Sequence, residues 1–210
     1  MKKGAWTRPA LFAACLIPLA FLVGRGASGN FGANPIEEIT HFTGDWALYL
    51  LLLTLAVTPL RRLFGWSRLV RHRRMIGLFA FFYGVLHFLT YFVLDQFFDW
   101  AEIGKDIFKR PYITVGFSAF VLLVPLAVTS TDRMIRRLGG KRWKALHRLV
   151  YVSATLAVLH FLWLVKADVR EPAICGGVLA TLLCLRLPWF VSLLRLLRIP
   201  FLAGSRPRTP

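Results

Sequence analysis

Apolar residues in this chain gather in long runs broken by short clusters of charge, a spacing that fits neither alternating strands nor two-faced soluble helices. Crossing roughly 30 Å of hydrocarbon takes about 20 such residues, or fewer where the bilayer thins. Six runs qualify, at about 10–27, 45–60, 75–94, 112–130, 149–165 and 173–190. The second is short and ends on Pro59, and the sixth contains Arg186 near its end. The pattern predicts an all-α polytopic membrane helix bundle with six transmembrane helices, a single domain over residues 1–210. The tail at about 203–210, "GSRPRTP" with its neighbours, reads as disordered.

Composition agrees: 57% of the residues are hydrophobic and the mean hydropathy is +0.58. The net charge of +17, from 27 Lys and Arg against 10 Asp and Glu, changes the picture only through its placement. A nucleic-acid domain would carry such charge without so much apolar sequence, so no nucleic-acid partner is expected. Residues 61–74 hold six Arg and no acid, and 131–148 hold seven basic residues against Asp132. With the two ends of the chain they collect 21 of the 27 basic residues, while the alternate segments, with Asp45 at the adjoining start of the second span, hold nine of the ten acids. The positive-inside rule then puts both termini and the two Arg-rich loops in the cytoplasm, with 28–44, 95–111 and 166–172 facing outward.

Lys2 and Lys3 precede about fourteen apolar residues and "GRGASGN", as in a signal peptide, but no A-x-A site follows, so a retained first helix is expected. Cys15, Cys175 and Cys184 lie in apolar stretches without C-x-x-C spacing, which suggests packing. Neither G-x-G-x-x-G nor a phosphate-binding G-x-x-x-x-G-K-[ST] is present, and C-x-x-C-H is absent as well.

One pentapeptide, "VLHFL", occurs at both 85–89 and 158–162, placing His87 and His160 inside apolar runs. A lone mid-span His divides evenly between a hydrogen bond to a neighbouring helix and a functional role. Two at one depth shift the balance. Each lies 12 residues beyond a basic cytoplasmic edge, at Met75 and Arg148, so each imidazole sits roughly 18 Å into the membrane. Zinc would need three or four ligands, and no Cys, Asp or Glu lies at that depth. Two axial nitrogens suffice for a haem iron, and bis-His ligation favours electron transfer over oxygen binding. Gly84 and Ala157, one turn before each His, suggest room for a flat macrocycle, and Phe82, Tyr83, Phe88, Tyr91, Phe161 and Trp163 supply an apolar, aromatic setting.

The other histidines read differently. His147 lies thirteen residues before His160 on what reads as the same helix, some 140° round from it, and could bind a haem propionate or a quinone. His72 reads as a solvated member of "RHRR", and His41 as a solvent-facing residue of the outer loop.

Several stretches extend this reading: "TGDWAL", "TPLRR", "RRMIGLFAF", "LHFLTY", "KRPYITVGF", "TSTDRMIRRLGGKRWKALHRLVY" and "LHFLWLVK". Through them the chain resembles, over nearly its whole length, the haem-binding membrane subunits of bacterial periplasmic protein-methionine-sulfoxide reductase systems, which carry a ferric-reductase-like transmembrane domain. The resemblance implies haem b, with His87 and His160 as axial ligands and His147 as a third family histidine. It also implies FMN, and an electron donor that is either the quinone pool or a cytosolic flavin reductase. The implied acceptor is a separate periplasmic molybdopterin enzyme that reduces methionine sulfoxide in proteins, which makes this an electron-transfer subunit of the bacterial inner membrane with no catalytic residues of its own. A proton-coupled or metal-ion transporter using the same His pair is the competing reading, although Asp45 is the only acid near a span interior. A membrane anchor without redox function would leave the His pair unexplained.

Overall fold

The structure, a computed structural model, describes residues 6–165 and 167–187. All regular structure in that range is helical, in nine α-helices: α1 (Thr7–Ala27), α2 (Pro35–Phe64), α3 (Arg73–Leu89), α4 (Trp100–Lys109), α5 (Pro111–Val128), α6 (Asp132–Leu138), α7 (Gly140–Leu146), α8 (Leu149–Leu164) and α9 (Arg170–Cys184). A 3₁₀ turn at Ser67–Arg71 leads into α3, and a π-helical stretch, Thr90–Asp95, continues it. The polytopic membrane bundle is the architecture observed. Five stretches of the described chain are long and apolar enough to span a bilayer: Thr7–Ala27, Pro35–Phe64, Arg73–Asp95, Pro111–Val128 and Gly140–Leu164. The sixth expected span corresponds to α9, of 15 residues; its continuation past 187, like the tail at 203–210, lies outside the described residues.

Antiparallel neighbours α2 and α3 form one tightly packed pair and α5 and α8 the other, with α1 against α3 and α9 against α2 and α8. Their shared core includes Leu51, Leu55, Val57, Ala80, Tyr83, Ala154 and Val158, all nearly inaccessible. The Ser153 hydroxyl donates to the Ala119 carbonyl at 2.9 Å, tying α8 to α5.

The second helix departs most from expectation. It starts ten residues before the expected span and runs through Pro59 to Phe64. Its start carries the signals of a helix N-terminus: the Asn34 side chain accepts from Glu37 N–H, Pro35 occupies the first turn, and Glu37 and Glu38 complement the positive end of the helix dipole. Its stop is Gly65 at φ 70°, a left-handed conformation that glycine adopts without strain. Thirty residues at 1.5 Å each give about 45 Å, so the polar first turns rise beyond the hydrocarbon. His41 therefore belongs to a half-buried helical position, not to a loop.

Pro59 removes the N–H that would bond the Leu55 carbonyl, and Arg186 takes its place: Nη2 donates to that carbonyl while Nη1 donates to Tyr151 Oη at 2.6 Å. A second repair occurs in α1 near Pro18. There the Tyr83 hydroxyl inserts into the helix ladder, accepting from Leu19 N–H at 3.1 Å and donating to Cys15 O at 2.8 Å. Cys15 and Cys175 are buried, consistent with packing, whereas Cys184 is exposed.

Candidate functional site

His87 on α3 and His160 on α8 meet between the two helix pairs, ring centroids 6.1 Å apart and planes 71° apart. Each ring is held by the N-terminal turns of the helix beside it. His87 Nδ1 lies 2.9 Å from Thr40 O on α2, and His160 Nδ1 lies 2.7 Å from Tyr112 O on α5. A carbonyl only accepts, so Nδ1 carries the proton in both rings. Each Nε2 is then left with its lone pair, the form in which imidazole binds a metal. Two metal–nitrogen bonds of about 2 Å plus the two ring radii amount to about 6 Å, so the observed separation suits one metal centre between the rings.

Of the small residues expected to make room here, Gly84 faces Phe120, 3.7 Å from where a Cβ would stand. The glycines that touch the pair are Gly44 and Gly116. A Cβ on Gly44 would stand 3.0 Å from the His87 ring, and one on Gly116 would stand 2.7 Å from the His160 ring. Both lie in stretches already singled out, "TGDWAL" and "KRPYITVGF", and the signal that could have found them is a glycine inside the apolar helix preceding each His helix.

The expected aromatic setting is partly present. Phe88 stacks on Phe92 and Phe120, Phe120 stacks on Phe81, and Tyr112 lies 6.3 Å from His160. Trp163, by contrast, is exposed on the bundle surface.

His147 is not brought to the pair, and it does not lie on the His160 helix as expected. It caps α7 at the turn before α8, stacks on Trp143 at 3.9 Å and points Nδ1 at Trp143 O, 3.1 Å away. His72 is a correction: it is buried, 8% exposed, and its Nδ1 has no hydrogen-bond partner among the described residues. The 3₁₀ turn at Ser67–Arg71 folds it against the bundle, where the sequence suggested a solvated "RHRR".

At the end of the bundle where α2 begins and α8 ends lies a hollow lined by His41, Asp45, Phe161, Val165, Asp168, Glu171 and Pro172, with Glu37 and Glu38 on an adjoining cleft. Phe161, which lines this hollow, follows His160 directly in the chain.

Comparison with known proteins decides the family. The family described as "Ferric reductase like transmembrane component" matches residues 43–158, from the residue before Gly44 to two residues short of His160. A protein of Rhodospirillum rubrum is 59% identical over 180 residues, 86% of each chain, and is named "Protein-methionine-sulfoxide reductase heme-binding subunit MsrQ". The chain belongs to the MsrQ family. MsrQ relatives of the same name occur in Herminiimonas arsenicoxydans, 58% identical over 85% of this chain and 83% of the relative, and in Caulobacter vibrioides, 51% identical over 82% of each. No solved structure matches the chain.

Proposed function

We propose that this chain is a b-type cytochrome of the bacterial inner membrane, with six spans and both termini cytoplasmic. It passes electrons from the quinone pool or a cytosolic flavin reductase to a periplasmic molybdopterin enzyme that reduces methionine sulfoxide in proteins. The observation that carries this reading is the facing pair itself: two imidazoles with free Nε2 atoms at a separation that suits one iron, each fixed through Nδ1. The haem-binding subunits named among the relatives support it.

His87 and His160 would hold the iron through Nε2, and the helices packed around them would keep water from it. Haem, when bound, supplies a one-electron carrier between donor and acceptor. The acidic rim around His41 faces outward and suits a basic patch on the acceptor. FMN and the quinone are carried by family resemblance alone. His147 is kept as a residue beside the cofactors on the same footing, without an axial role.

An oxidised-minus-reduced absorption spectrum of the detergent-purified protein tests this. The expected result is a low-spin haem b spectrum that His87→Ala and His160→Ala each abolish and His147→Ala retains. A normal spectrum in His87→Ala would refute the ligand assignment, and a colourless wild-type protein would refute the function.

A further inference from the structure

The two imidazoles are held by the same local device. His87 reaches the carbonyl of Thr40, and the residue four positions on, Gly44, is the one its ring touches; His160 reaches the carbonyl of Tyr112, and four positions on stands Gly116. In a helix the carbonyl of residue i points along the axis toward residue i+4, so a side chain at i+4 covers the approach to it. Removing that side chain opens the carbonyl to a partner from the next helix. Glycine inside a helix works against the helix's own stability, so its appearance at both equivalent places calls for a reason.

We propose that Gly44 and Gly116 are positioning residues for the axial ligands: by lacking a Cβ, each lets an imidazole donate Nδ1–H to a helix carbonyl, which fixes the ring's tautomer, plane and Nε2 direction. Simple helix packing does not account for them. A Cβ at Gly77 or Gly176 would meet a neighbouring side chain at 3.5 or 3.6 Å, ordinary contact, whereas at Gly44 and Gly116 it would meet the ligand rings at 3.0 and 2.7 Å. Both imidazoles are anchored in the backbone of their own neighbours, so neither ring can turn without breaking its bond. The inference rests on the haem reading above and deepens it, because ring plane and Nδ1 donation set the basicity of the iron ligand and hence the reduction potential.

The test uses full-length, haem-loaded protein in detergent, reading ferric electron paramagnetic resonance and the midpoint potential. Wild-type protein is expected to give the highly anisotropic low-spin signal of steeply crossed imidazole planes. Gly116→Ala is expected to shift both signal and potential, Gly44→Ala to shift them less, and Gly77→Ala to match wild type. Alanine variants that keep the wild-type signal and potential would overturn the proposal. Should they fail to accumulate, the wild-type signal decides, since one characteristic of parallel rings would overturn it equally. A wild-type protein without haem overturns the underlying reading, and this one with it.

Discussion

Arg186 holds its guanidinium over the Tyr151 ring, centroid 5.1 Å away, with no acid paired to it among the described residues. Its work is to satisfy a carbonyl that Pro59 orphans, and a hydrogen bond from a charged donor contributes about 1.5–3 kcal/mol. Arg186→Met is therefore expected to destabilise by that order in denaturant unfolding followed by tryptophan fluorescence. The pairing with Pro59 makes a sharper test. Pro59→Ala restores the missing N–H, so Arg186→Met should cost less in that background than alone, and purely additive effects would disprove the coupling. Tyr83→Phe removes the hydroxyl bridging Leu19 and Cys15; as Leu19 N–H can return to Cys15 O, a loss of about 1 kcal/mol is expected in the same assay.

Among the elements, the Arg-rich end of the bundle is bound together by Arg74 of α3 and Asp132 at the start of α6. Arg74 beside Asp132 holds its carboxyl below the ordinary carboxylate value. A depressed value means that the pair's contribution is complete above about pH 4 and disappears as pH falls through the lower folded value. Proteolysis of the 131–148 segment should be flat from neutral pH down to about pH 5 and rise only in stronger acid. Asp132→Asn should raise it from neutral pH down to about pH 5 and lose its difference from the native chain in stronger acid, and an unchanged rate at neutral pH would show that the pair does not restrain the segment. At the opposite end, the segment 95–111 between two spans holds α4, which the sequence did not announce because ten residues between two apolar runs give a weak periodic signal. Its Asp106 is buried against Tyr91, Gln96 and Arg110, while Trp100 and Phe108 are exposed, a two-faced arrangement suited to the membrane boundary where its flanking spans end.

Across the molecule, the span-length apolar runs and the depth-matched histidines were legible because hydrocarbon imposes a length and punishes a stray ionisable group. The boundaries of α2 were not, since its acidic first turns stand clear of the hydrocarbon and its proline is repaired by a residue 127 positions later in the chain. The same limit hid Gly44 and Gly116: what makes them special is contact with another helix, and a single sequence does not show which helices touch. Nor could it show that "RHRR" turns one member inward. Charge placement supports a cytoplasmic location for 61–74 and 131–148, which labelling of single cysteines placed there, in inside-out vesicles against spheroplasts, would check; labelling from the spheroplast side would reverse the topology.

Each imidazole is oriented by a neighbouring helix that precedes its own in the chain, His87 by α2 and His160 by α5. During synthesis the first half of the clamp can thus be complete while the second is still on the ribosome. Closure of the pair waits for α8, which carries the second imidazole. A chain truncated before α8 would hold one prepared imidazole and no counterpart, so on the proposed reading a metal centre between the rings could be completed only late in synthesis, once α8 has joined the bundle.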